Sequence, residues 1–230
     1  MSLDIGGNGK IGRFLIMKFC VRITLEDVWI MFKRKKGYDL SNRVVVVSGL
    51  PRSGTSLMMR MLDKGGIPPM QDGERTADDD NPKGYYEFER VKDMPDGDTA
   101  WLKQAKGKVV KVITALLPHL PGKYQYDVLM MRREIDEILA SQKKMLINRG
   151  EDPNKVSDEE IEAMYRKHLA KTYAWLDQQK NVRYMDVNYN QLLKDPAPQV
   201  DRINEFLGGE MDVEVMTAQI DPNLYRNRAK

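Results

Sequence analysis

The segment Ser48-Gly49-Leu50-Pro51-Arg52-Ser53-Gly54-Thr55-Ser56 follows the run Val44-Val45-Val46-Val47 and opens an apolar-periodic stretch. A continuous β-branched run suits a strand covered on both faces. Residues 55–64 carry Leu57, Met58, Met61 and Leu62 at helical spacing and stop at Gly65-Gly66. Strand, glycine-containing loop and helix in that order can wrap an anion. Small residues let successive backbone N–H groups turn inward, and Gly54 permits close approach of phosphate oxygens. Thr55 and Ser56 add hydroxyl donors at the helix N-terminus, where the dipole favours negative charge.

The rest of the chain continues the alternation. Residues 109–113, 126–131 and 182–187 read as further strands. Between the last two lie two long helical patterns. The first shows Ile135, Ile138, Leu139, Gln142, Met145 and Leu146 on one face, and the second opens at Ser157 with Glu160 three residues on. That pair is the capping-box pattern. Ile203, Phe206 and Leu207 mark a short helix before Gly208-Gly209. The expected fold class is α/β, with a mostly parallel sheet covered by helices on both faces. Residues 71–82 are acidic and turn-rich and read as a loop.

The chain divides at residue 40 into an N-terminal helical extension, 1–40, and an α/β domain, 41–230. Residues 11–36 place Phe14, Met17, Val21, Val28, Trp29 and Phe32 among Lys and Arg. The segment reads as a helix packed on the domain, or as a basic amphipathic segment resting on a membrane surface or partner.

Composition narrows the function classes. An apolar fraction of 41% excludes disorder over the whole length. Cys20 is the single cysteine, so a disulfide scaffold is excluded, and with two histidines the usual structural zinc sites are too. The cysteine count fits a reducing compartment, and a cytoplasmic location is expected. A net charge of +3 makes no case for nucleic acid. No run of about 18 apolar residues suggests a transmembrane helix.

The loop departs from the nucleoside-triphosphate pattern G-x-x-x-x-G-K-[ST]. Thr55 stands where that pattern has Lys, and the cation has moved to Arg52 inside the loop. No strand ending in a metal-binding Asp accompanies it.

Pro51-Arg52-Ser53-Gly54-Thr55-Ser56 resembles the 5′-phosphosulfate loop of the sulfotransferases. Those enzymes use 3′-phosphoadenosine 5′-phosphosulfate (PAPS) as sulfuryl donor and have a P-loop-like α/β fold. A second match is Arg133 at a strand end with Ser141 eight residues later, the pair that binds the 3′-phosphate in the family. A third runs from Val182-Arg183-Tyr184-Met185-Asp186 through Leu192-Leu193 and Asp195-Pro196 to Gly208, similar to bacterial members. The resemblance spans residues 43–228. Eight helical steps leave Arg133 and Ser141 about 80° apart around the axis, so both can reach one crevice. Arg132 competes with Arg133, and the spacing favours Arg133. In the family a C-terminal basic segment closes over the 3′-phosphate, which Arg226 or Arg228 could supply here; a frayed basic tail is the other reading.

The resemblance implies sulfuryl transfer from PAPS to a hydroxyl or amine of a small-molecule or carbohydrate acceptor, with no metal and no nucleic acid. Pro51, Arg52, Ser53, Gly54, Thr55, Ser56, Arg133, Ser141, Arg226 and Arg228 are the candidate donor-binding residues. Arg52, Glu87 and Lys111 are the candidate catalytic residues. The cytosolic branch has a His two residues after a Lys at a strand end; here the segment is Lys111-Val112-Ile113, without it. Asn81-Pro82-Lys83-Gly84-Tyr85-Tyr86-Glu87 resembles the Asn-Pro-x-Gly-x-x-Glu segment of bacterial members, which makes Glu87 the candidate base. A surface carboxylate at a helix N-terminus is its other reading, and His119 is the alternative base. Two further functions stay open at this point: a non-catalytic nucleotide-binding module, and a P-loop kinase or NTPase.

Overall fold

The computed structural model describes residues 38–74, 81 and 84–221. Most of the N-terminal extension, Arg226 and Arg228 lie outside them. Four strands form one sheet: β1 (Arg43–Gly49), β2 (Val109–Lys111), β3 (Gln125–Arg132) and β4 (Val182–Asn188). Their order is β2-β1-β3-β4, and every neighbouring pair is parallel. The central place of β1 explains its valine run, since Val44, Val45, Val46 and Val47 are all fully buried.

Successive side chains of a strand point to opposite faces, so the run feeds two cores. Val45 and Val47 pack with Met58, Met61 and Leu62 of α1 (Thr55–Lys64) and with Ile203. Val44 and Val46 pack with Trp101, Val110, Val128 and Leu176 on the other face. The remaining helices are α2 (Ile135–Asn148), α3 (Asp158–Gln178), α4 (Tyr189–Lys194), α5 (Pro196–Phe206) and α6 (Val213–Thr217). Ser157 and Glu160 form the expected capping box at the start of α3. The α/β class with a parallel sheet covered on both faces is therefore what the chain adopts.

Two features differ from the sequence reading. β2 stops at Lys111 rather than reaching 113, because the chain turns into a 3-10 helix at Thr114–His119. Much of the cover on the second face is 3-10 helix, at Glu89–Asp96, Ala100–Lys103 and Thr114–His119. Such short pieces, two of them containing proline (Pro95 and Pro118), carry no 3.6-residue period to detect.

The chain leaves β1 toward β2 on one side, then crosses to β3 on the other. A reversal of strand order opens a crevice at the carboxyl ends of the strands, where ligands bind in open α/β sheets. The loop after β1 stands at that reversal.

A buried carboxylate fastens the opposite half of the sheet. Asp127 of β3 is fully buried and accepts from Arg43 Nε at 2.6 Å, Arg183 Nε at 2.7 Å and Tyr38 Oη at 2.8 Å. Burial first, and then the Asp127 charge, push the Tyr38 phenol well above its ordinary range. Breaking a buried ion pair by removing one partner typically costs about 3–5 kcal/mol. Asp127→Ala is expected to destabilise the fold by about that much, read as a fall in the urea midpoint with unchanged slope. A loss below about 1 kcal/mol would show that solvent compensates the two guanidiniums.

Candidate active site

A cleft of about 430 Å³ lies over the carboxyl ends of the strands. Pro51, Arg52, Gly54, Thr55 and Ser56 line it, and so do Glu87, Lys111, Arg133 and Ser141. Residues far apart in sequence thus meet in one place. Ser53 is the loop member that faces away; it is 1% exposed, and its backbone N–H donates to the Leu50 carbonyl.

The loop is held in an unusual backbone shape. Arg52 has φ +69°, a region that costs a non-glycine residue about 1–2 kcal/mol. Its contacts offset that strain. Arg52 Nε donates to Ser141 Oγ at 2.8 Å, and the Arg52 carbonyl accepts from Arg133 Nη1 at 3.1 Å. Gly54 has φ +97°, and a Cβ placed there would lie 2.3 Å from Tyr189 Cδ2. Only glycine satisfies both the angle and the ring above it.

Arg133 is fixed by a buried pair. Its Nε donates to Glu137 Oε2 at 2.8 Å, one helical turn on, and the two side chains are 7% and 1% exposed. Asn190 Nδ2 donates to the other Glu137 oxygen at 2.9 Å. The guanidinium also lies 4.8 Å from the Tyr189 ring centre. Arg132 points elsewhere, donating to Tyr173 Oη at 2.8 Å from a partly exposed position. Arg133 thus faces the cleft, although helical steps do not link it to Ser141, because the helix begins only at Ile135 and Glu134 is not helical.

Lys111 places a second cation beside the loop. The register Val47↔Lys111 sets the end of β2 beside the loop. Lys111 Nζ donates to Ser56 Oγ at 3.1 Å and to the Tyr85 carbonyl at 2.6 Å. Glu87 Oε1 lies 3.6 Å from the same Nζ, and its side chain is 23% exposed. Glu87 is thus a cleft carboxylate beside the loop. His119 is exposed and lies off the cleft wall among the described residues. His168 pairs with Thr114 Oγ1 at 2.7 Å, in keeping with a packing role.

The sequence reading missed Arg60 and Tyr189. Arg60 sits in α1 among methionines, yet it lines the cleft and is 8% exposed. Its Nη2 donates to the Gln219 carbonyl at 3.0 Å, while its Nε has no hydrogen-bond partner among the described residues. Burial lowers its pKa, partly countered by Tyr86, Asp221 and Tyr189. A lone Arg inside an apolar helix was the available signal. Among the described residues, no group of three or more His, Cys, Asp or Glu could hold a metal, and no helix is long and apolar enough to cross a membrane.

Residues 125–213 match one protein-family model, described as the sulfotransferase family. The match covers less than half of the chain. That segment contains Arg133, Ser141, β4 and α5, while the loop at 48–56 lies before it. A solved structure, the "Sulfotransferase Domain from the Curacin Biosynthetic Pathway", is similar to the chain at 14% identity with a TM-score of 0.47. The likeness covers 80% of this chain and 89% of that sulfotransferase domain. No curated protein matches significantly.

Proposed function

We propose that the chain is a sulfotransferase that takes its sulfuryl group from PAPS and passes it to a hydroxyl or amine of a small-molecule or carbohydrate acceptor. The observation that carries this reading is the meeting of Arg52, Lys111, Arg133 and Ser141 in one cleft. They form two linked anion subsites. One is the loop with Arg52, Lys111 and the first N–H groups of α1. The other is Arg133 with Ser141. A donor with phosphate at both its 5′ and 3′ positions needs such a pair. The residues fit it in charge, since Arg52, Lys111 and Arg133 all line the cleft.

The bound donor would supply the activated sulfuryl group. Arg52 and the loop N–H groups then stabilise charge developing on the leaving phosphate. Lys111 holds the negative oxygens in line with the acceptor. Glu87 accepts the acceptor's proton. The C-terminal Arg226 and Arg228 belong to the same proposal as further 3′-phosphate ligands. A cytoplasmic location belongs to it too, supported by a single cysteine that calls for no oxidising compartment.

The desulfated product, 3′-phosphoadenosine 5′-phosphate (PAP), is expected to stabilise the protein, and ATP with Mg²⁺ is not. At about 100-fold excess over Kd, linkage gives about 2.7 kcal/mol. For this chain length that is a rise in Tm of roughly 5–10 °C. An equal rise with ATP would overturn the reading in favour of a kinase or NTPase. A rise with PAP but no sulfated product from any acceptor would favour a binding module.

A further inference from the structure

The donor residues occupy only part of the cleft. Lys144, Met145 and Arg149 of the α2 end also line it, with Val112 and Ile113 after β2. At 100° per residue these three lie within about 80° of Ser141 around the helix axis, Lys144 on one side of it and Met145 and Arg149 on the other, so that the two cations flank the wall about 140° apart. At 1.5 Å per residue they sit about 5–12 Å beyond it. Ser141 is tied to Arg52, so the near end of α2 serves the loop. Its far end extends the same wall away from Tyr189 and Arg133.

The chemistry of this extension is distinct. Lys144 and Arg149 are both exposed, and among the described residues neither side chain has an ion-pair partner. Among the described residues the cleft carboxylates, Glu87 and Asp221, lie on other segments of the wall. Ile113 is 49% exposed, a large apolar side chain beside the cleft, and Met145 adds a second apolar surface. Ile113 has no backbone reason to be exposed other than the turn it begins. Apolar side chains and two cations without an ion-pair partner among the described residues, lining one cleft, fit a ligand with an apolar body and a negative end.

We propose that the acceptor is a hydroxyl compound of that kind, its body against Ile113 and Met145 and its anionic group attracted by the flanking cations Lys144 and Arg149. The inference rests on the sulfotransferase reading and names the substrate class for the same site. It assigns to Lys144 and Arg149 a role in choosing the acceptor and none in holding the donor.

The test uses PAP-saturated full-length protein titrated with ω-(4-hydroxyphenyl)alkanoates of increasing chain length, the matching alkyl phosphates and the matching neutral amides. At one chain length an anion should bind at least about fivefold tighter than its amide at low salt, the size expected of two exposed pairs. The preference should shrink as ionic strength rises. Lys144→Gln with Arg149→Gln should abolish it, Lys144→Arg with Arg149→Lys should keep it, and the Kd of PAP should stay within about twofold in all variants. These positions are exposed, so the variants are expected to fold. Equal binding of anions and amides at every length overturns the inference. So does a preference that survives the double Gln variant, which would move the anion to Arg60 or Lys111. A weakened PAP Kd in that variant also overturns it, by giving the two cations to the donor. Failure of the wild type to bind PAP is read separately and first, and sinks the sulfotransferase reading itself.

Discussion

Replacing Arg52 with Ala is expected to lower turnover by about 10²–10³, the effect of removing one preorganised donor from a developing charge. The apparent donor constant should rise much less. Negative charge gathers on the bridging oxygen only as its bond to sulfur breaks, so the guanidinium acts mainly in the transition state. The backbone complicates the substitution in an informative way, because Arg52 has φ +69°. Alanine keeps the strain and loses the tie to Ser141 Oγ. Glycine removes the strain and loses the same tie. If Arg52→Ala and Arg52→Gly lose activity alike, the guanidinium is responsible. Recovery in the glycine variant would mean that loop shape, not the cation, sets the rate. Single-turnover measurement with saturating donor separates the two.

The parts of this site that are legible in the sequence are those whose signals are local. Four valines, a glycine-containing loop and a 3.6-residue apolar period announce β1, the loop and α1 within about twenty positions. Arg133 and Ser141 are legible through the family resemblance rather than through helix geometry, since α2 begins only at Ile135 and Glu134 before it is not helical. Lys111 is only half legible. That it ends a strand can be read, but its reach to Ser56 follows from the register Val47↔Lys111, a pairing across more than sixty residues. The Tyr189 ring over Gly54 is equally non-local, since α4 follows β4 at the far edge of the sheet. Glu137 lay within sight, four residues after Arg133, but its burial depends on Asn190 arriving from another element. Arg60 escaped because the apolar pattern of α1 was read for its core face. The flank of that face is where a long side chain can bury its stem and still reach a cleft.

Glu87→Gln is expected to cost activity by about 10²–10⁴, the contribution of a positioned general base. The amide keeps the size of the carboxylate and can still accept from Lys111, whose Nζ lies 3.6 Å from Glu87 Oε1. The loop and its cations therefore stay in place, and the Kd of PAP should be unchanged. The pH dependence carries the sharper test. A base works deprotonated, so the wild-type rate should show an acid limb. The variant has no such group, and its residual rate should be flat over the same range. Normal turnover in Glu87→Gln, or an acid limb that persists, would place the base elsewhere. His119 is badly placed to take that role, being exposed and away from the cleft wall. The remaining option would be an acceptor that arrives already deprotonated. Its rate would then follow the acceptor's pKa rather than that of any side chain, a dependence that acceptors of graded acidity would show directly.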